Sequence, residues 1–226
     1  MSVSVPLMDG VESRLDGAWV AAFEQAWTSH RLGSIAVGAV LTDSDGAVVA
    51  ADRNRAGEPE GPPGLLAGNR LAHAEVNVIA RLGQAHPEGM SLLTTLQPCV
   101  LCAGACSYAR VARVEYAGVD AAWDGVEQLH QASPVLVERA PAISWRDLGF
   151  WSVWAEAVPL SGVIRHYGLD GRVGRTYLAA NAAMVDLATQ IAGDEALPRL
   201  DLEAAVARWA ERLARVAVTM PGESAP

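Results

Sequence analysis

Two short stretches of this chain place a strong demand on its fold. One is His73-Ala74-Glu75, the other Pro98-Cys99-Val100-Leu101-Cys102. One imidazole and two thiols are the donors of a tetrahedral Zn²⁺ that keeps its fourth position for water, but only if the chain brings both stretches together. A carboxylate two residues from the histidine is then placed to move that water's protons. A closed structural site would need a fourth protein ligand. The remaining cysteine, Cys106, lies one helical turn beyond Cys102 and reads as a small buried residue. We therefore take His73, Cys99 and Cys102 as metal ligands, Zn²⁺ as the cofactor, and Glu75 as the catalytic acid–base group. As an alternative, Glu75 is a helix-start carboxylate stabilised by the helix dipole.

Local patterns support an open site. Ser91–Leu96 reads as a short buried strand. Pro98 then opens a helix through Val100, Ala103, Ala105 and Ala109, since proline is favoured in a first turn. Cys99 and Cys102 share one face near its N-terminus, where unpaired N–H groups favour thiolate. Leu71–Leu82 reads as an amphipathic helix with His73 and Glu75 in its first turn.

On these residues the chain resembles the cytidine deaminase superfamily, whose H-x-E…P-C-x-x-C pattern it carries. The closest branch is that of tRNA adenosine, guanine and fungal-type cytosine deaminases. The run Thr95-Leu96-Gln97-Pro98-Cys99-Val100-Leu101-Cys102-Ala103-Gly104-Ala105 is close to that branch's cysteine motif. The resemblance covers residues 18–129. It implies an α/β, three-layer α/β/α fold with a central mixed sheet of about five strands, and zinc-dependent hydrolytic deamination. It also implies that Asn54 contacts the substrate, and that the Ala74 N–H does so through the main chain. Relatives are commonly oligomers, so it implies a homodimer. Two departures stand out. Gln97 replaces the branch's usual Glu before the proline, and Asn69-Arg70-Leu71-Ala72 replaces its usual approach to the histidine. Both alter the pocket wall and leave the metal and proton chemistry untouched.

Composition narrows the function further. The 226 residues are 51% apolar, ample for one good-sized domain with an extension. The formal net charge is −9, and every basic residue is arginine. That balance disfavours a nucleic-acid partner, which calls for a basic face. It favours a small-molecule amino-heterocycle: a nucleobase, nucleoside or related ring. Three cysteines, two of them assigned to zinc, suit a reducing cytosol. No long uncharged apolar run suggests a membrane span, and Met1–Pro6 lacks the pattern of a secretory signal. The reading is thus a cytoplasmic zinc-dependent aminohydrolase. The alternatives are a tRNA adenosine deaminase and a catalytically inactive deaminase-fold binding protein.

The remaining elements follow from periodicity. Trp19, Phe23 and Trp27 form one stripe of a first helix. Ile35–Leu41 and Ala47–Ala51 are strands joined by the turn at Thr42–Gly46, and Val114–Val119 is a further strand. Trp123–Gln131 reads as a helix or loop, and Val135–Arg139 as an edge strand. Trp145, Trp151 and Trp154 read as packing residues, or as an aromatic wall over a flat base. Tyr177–Ile191 and Leu202–Val218 form a C-terminal helical hairpin, and Thr219–Pro226 a frayed tail. The expected division is a deaminase domain over residues 1–157 and a helical extension over 158–226. That extension would pack on the domain or across a dimer interface.

Overall fold

The structure is a computed structural model that describes residues 2–6 and 12–219. The tail expected over 219–226 lies outside the described residues from 220 on, and Thr219 closes the last helix. A hairpin of β1 (Ser2–Pro6) and β2 (Glu12–Asp16) leads into α1 (Ala18–Arg31). Then come β3 (Gly38–Thr42), β4 (Val48–Arg53) and α2 (Ala74–Ala80). These are followed by β5 (Ser91–Leu96), α3 (Val100–Ala109) and β6 (Arg113–Gly118). Next are α4 (Pro134–Arg139), β7 (Ala142–Trp145) and α5 (Phe150–Tyr167). The chain finishes with α6 (Arg172–Ala180), α7 (Ala182–Ala192) and α8 (Leu202–Thr219).

The main sheet has five strands in the order β4-β3-β5-β6-β7. It is mixed: β3 runs antiparallel to both β4 and β5, while β5, β6 and β7 are parallel. Alternation along the strands sorts the core into two layers. Ala39, Leu41, Leu92, Leu96 and Val114 pack with Ala74 and Val78 of α2 and Cys106 of α3. On the other side Phe23 and Trp27 of α1 pack with Trp151 and Trp154 of α5 and with Ala117. This is the three-layer α/β/α arrangement.

The C-terminal helices add a fourth layer. Met184, Leu187 and Ile191 of α7 and Val206, Trp209 and Leu213 of α8 belong to the same core cluster as Phe23 and Trp151. Every residue of α5 from Phe150 to Gly162 is buried, because the helix lies between the sheet side and these outer helices. The division expected at 157/158 falls inside α5. The Trp27 Nε1–H also donates to the Leu200 carbonyl at 3.0 Å, joining α1 to the extension.

Several expected elements take a different form. Val135–Arg139 is helical, not an edge strand. The Ser133 hydroxyl accepts from the Leu136 N–H and Pro134 occupies the first turn, so the capping signal overrides the β-branched valines. The strand at that edge of the sheet is β7, and β4 forms the other edge. Trp123–Gln131 is mostly two short 3₁₀ turns. The segment Tyr177–Ile191 is broken at Asn181, whose side chain accepts from the Met184 N–H and caps α7. The expected hairpin is therefore three helices. The Leu71–Leu82 helix shortens to Ala74–Ala80, and Leu71 is exposed.

The contact between α5 and the sheet can be tested at one position. A Cβ on Gly118 would lie 2.8–2.9 Å from the Ala155 carbonyl carbon and oxygen. We expect Gly118→Ala to destabilise the protein by about 1–3 kcal/mol, as overpacking does. Gly104→Ala on α3, with nothing within 4 Å, should instead stabilise it, by about 0.5–1 kcal/mol. Urea midpoints of the two variants with the same sign of shift would contradict this packing. A chain ending at residue 157 should aggregate on size-exclusion chromatography, because it severs α5 and uncovers Trp151, Trp154 and Phe23.

Candidate active site and metal centre

The two motifs meet at the starts of two helices. His73 is the N-cap of α2 and Cys99 the N-cap of α3, both in extended conformation. Ser, Thr, Asp and Asn usually fill such positions because their oxygens accept from the first-turn N–H groups. Neither His73 nor Cys99 makes a side-chain cap bond, and their donor atoms point at each other instead. Pro98 precedes the helix and Val100 opens it. Cys102 lies in the first turn, fully buried.

The geometry fits zinc. His73 Nδ1 is 3.4 Å from both Cys99 Sγ and Cys102 Sγ, and the two sulfurs are 3.5 Å apart. A tetrahedron with the usual Zn–S and Zn–N bonds has edges of about 3.8 Å between sulfurs and 3.6 Å between sulfur and nitrogen. Among the described residues these three form the one such group of His, Cys and carboxylate donors. Cys106 is fully buried and outside it, as expected. Cys99 is pushed down to about 4, first by the Cys102 thiol that donates to it, and His73 adds to the effect. Cys102 is pushed well up, first because it supplies that hydrogen bond. Two sulfurs this close share one proton, and a cation between them is what lets both ionise.

Glu75 sits one residue inside α2 and is 3% exposed. Its Oε1 accepts from the Thr94 hydroxyl of β5 at 3.2 Å, and its Oε2 lies 3.2 Å from Cys102 Sγ. Burial is the largest influence on its carboxyl and pushes its pKa up. Thr94 was not singled out from the sequence. Its signal was available only as a polar residue in the buried run Ser91–Leu96.

A cavity of about 130 Å³ opens beside these residues, lined by His73, Glu75, Cys99, Asn54, Asp120 and Trp123, among others. Asn54 follows β4 and is held on three sides. Its N–H donates to the Val37 carbonyl at 2.9 Å, its carbonyl accepts from the Ser29 hydroxyl at 2.6 Å, and its Oδ1 accepts from the Ala56 N–H at 2.9 Å. Nδ2 is left without a partner among the described residues. Ala74 is fully buried and does not line this cavity, but its first-turn N–H also has no partner there. Trp151 and Trp154 are core residues, and Trp145 donates from Nε1 to the Ala117 carbonyl at 2.8 Å. The aromatic residue of the cavity is Trp123.

The loop between β4 and α2 is anchored by buried charge. Asp52 and Arg55 pair at 2.9 Å, with side chains 0% and 5% exposed. Glu58 pairs with Arg53 at 2.9 Å and Arg55 at 2.8 Å, and Arg81 reaches Asp52 at 2.6 Å. The Arg55 N–H also donates to the Ala72 carbonyl at 2.9 Å, which fixes the approach to His73. Across the cavity Gln97 joins β5 to the next turn. Its Oε1 accepts from the Asp120 N–H at 3.1 Å and its Nε2 donates to the Trp123 carbonyl at 3.4 Å. A carboxylate at position 97 could make only the first of these bonds.

A family model described as the cytidine and deoxycytidylate deaminase zinc-binding region matches residues 15–118. Over those residues the chain belongs to the cytidine deaminase superfamily. Among curated relatives it is similar to a tRNA-specific adenosine deaminase of Agrobacterium fabrum (strain C58 / ATCC 33970). They are 36% identical over 110 residues, 47% of this chain and 66% of that protein. A tRNA-specific adenosine deaminase of Bacillus subtilis (strain 168) is 32% identical over 103 residues, 44% of this chain and 58% of its own length. The match thus spans less than two thirds of both relatives. A solved structure from work on A-to-I editing by tRNA:A34 deaminases is 32% identical. It covers 56% of this chain and 88% of its own, with a TM-score of 0.47. The zinc-binding region of the superfamily model includes His73, Cys99 and Cys102, and zinc is the cofactor.

Thr94 offers a specific test of how Glu75 is held. Thr94→Val keeps the shape and removes the donor. We expect full zinc content and a fall of about 10- to 100-fold in kcat on whichever substrate the protein turns over, since a hydrogen bond to a charged group is worth about 1.5–3 kcal/mol. Unchanged kcat in Thr94→Val would show that Glu75 is positioned by other contacts.

Proposed function

We propose that the protein is a zinc-dependent aminohydrolase that replaces the exocyclic amine of a small nucleobase, nucleoside or related amino-heterocycle with oxygen, releasing ammonia. The observation that carries this reading is the cavity in which Glu75 and Asn54 stand beside the three metal donors. Held by His73, Cys99 and Cys102, zinc supplies the Lewis acidity that makes water nucleophilic near neutral pH. Glu75 takes one proton from the attacking water and delivers it to a ring nitrogen, then takes the remaining proton of the added hydroxyl and passes it to the amine, which leaves as ammonia as the C–N bond breaks and the carbonyl forms. Thr94 steadies Oε1 at 3.2 Å, and Oε2 faces the metal donors, 3.2 Å from Cys102 Sγ. Asn54, with Oδ1 engaged by Ala56, presents Nδ2 to a ring acceptor. In this reading the Ala74 N–H is a second donor to the ring.

The small-substrate reading rests on the net charge of −9 and on the pairing of Arg53, Arg55, Arg81 and Arg208 with acidic side chains. A second reading, deamination of adenosine in tRNA, is favoured by the names of the two curated relatives. The protein would act as a homodimer in the cytosol, where its three free cysteines stay reduced. Among the described residues no helix is long and apolar enough to cross a membrane.

Ammonia release from zinc-loaded protein decides between the readings. Turnover of a free base or nucleoside supports the first, and turnover only of a folded tRNA the second. Glu75→Ala should keep its zinc and lose roughly 10²–10⁴-fold in kcat. His73→Ala should lose zinc as well. A Glu75→Ala protein with most of its rate would overturn the proton-transfer role.

A further inference from the structure

The cavity that Asn54 lines also contains a carboxylate that the chemistry above does not use. Asp120 lines the cavity at the turn after β6. Its Oδ1 accepts from the Ala122 N–H at 3.0 Å and from the Tyr177 hydroxyl at 3.1 Å. Its Oδ2 has no partner among the described residues. Tyr177 is 3% exposed and comes from α6, inside the C-terminal extension. Among the described residues no arginine pairs with Asp120. The neighbouring acid is Glu156 of α5, which is 4% exposed and has an unpartnered buried Oε2. Burial first, and the Asp120 charge second, push Glu156 up to about 8. Burial also raises Asp120, while the hydrogen bonds from the Ala122 N–H and the Tyr177 hydroxyl oppose that rise and favour its carboxylate form.

We propose that Asp120 is a specificity-determining residue and Tyr177 its positioning residue. Tyr177 ties up Oδ1, so that Oδ2 is offered to an N–H donor on the ring. A carboxylate is an acceptor only. It rewards a ring that presents a donor at that point and penalises one that presents a lone pair, because a buried acceptor facing an acceptor leaves both unpaired. Asn54 Nδ2 demands the reverse at its own position. The substrate class is therefore an amino-heterocycle with an acceptor on one side and an N–H donor on the other, of the amide or cyclic-amidine type. It also gives the C-terminal helices a part in substrate choice, since one of their hydroxyls orients the wall. This rests on the proposed deaminase function of the same cavity.

The test uses binding, so that it stands apart from turnover. The zinc-loaded full-length Glu75→Ala protein is titrated calorimetrically with two pairs of rings, guanine against 2-aminopurine and isocytosine against 2-aminopyrimidine. Each first member carries a ring N–H beside a carbonyl, whereas each second member presents a ring-nitrogen lone pair there, its N–H donors being confined to the exocyclic amine and, in 2-aminopurine, the imidazole ring. We expect at least one donor-bearing ring to bind about tenfold or more tighter than its partner. Asp120→Asn and Tyr177→Phe, each added to Glu75→Ala, should shrink that preference. The two together should do no more than Asp120→Asn alone. A merely structural tyrosine would lower the melting temperature and weaken both members of a pair equally. Equal affinities within both pairs, a preference that survives both substitutions, or no binding of any ring overturns the proposal. If the preference is found and depends on Asp120 and Tyr177, but the unmutated enzyme releases no ammonia from any ring, the deaminase reading fails and the wall stands.

Discussion

His73, Cys99 and Cys102 come together because α2 and α3 begin at the same place on the sheet. Each helix starts with a ligand where a capping residue would ordinarily stand, so each forgoes a local stabilising bond worth about 1 kcal/mol. What replaces it is non-local. The two sulfurs lie 3.5 Å apart, a separation at which two thiolates repel unless a cation stands between them. Binding of a structural zinc to small peptides contributes about 10–16 kcal/mol, comparable with the whole stability of a typical domain. The fold around the site is arranged to hold three donors at a separation that only a cation makes favourable.

The cavity is framed by two rigid walls of different chemistry. On one side the loop after β4 is pinned by the Asp52–Arg55–Glu58 pairs and their outer partners Arg53 and Arg81. Breaking one buried pair of this kind costs about 3–5 kcal/mol, because the remaining charge is stranded. On the other side Gln97 joins the end of β5 to the turn at Asp120–Trp123 through both ends of its amide. Gln97 thus has a physical use at this position, since an amide can both accept and donate there where an ionised carboxylate could only accept.

That His73, Cys99 and Cys102 come together with Glu75 beside them was legible in the sequence, because the zinc chemistry proposed for them needs particular residue types at fixed local spacing. The five-stranded mixed sheet was legible through the superfamily resemblance, and most strands were found within two or three residues through their apolar runs. What was hidden depends on contacts between distant segments. Thr94 is one polar residue in a buried strand, and nothing local marks it as the partner of Glu75. Tyr177 sits 57 positions from Asp120, and no spacing rule connects them. The valines of α4 mimic a strand, and only the Ser133-Pro134 cap says otherwise. The tryptophan that lines the cavity is Trp123, whereas Trp151 and Trp154 belong to the core.

The burial of α5 on all sides also has a consequence for synthesis. Phe23 and Trp27 leave the ribosome early, but the helix that covers them starts at Phe150, and that helix is itself covered by residues as late as Leu213. At roughly 5–20 residues per second, the nascent chain carries an open apolar face for several seconds after α5 appears. During that interval the sheet and both motif helices are complete in sequence yet the core on the α5 side is unfinished. The chain is then most in need of a chaperone, and slower synthesis of α6 to α8 would prolong the exposure.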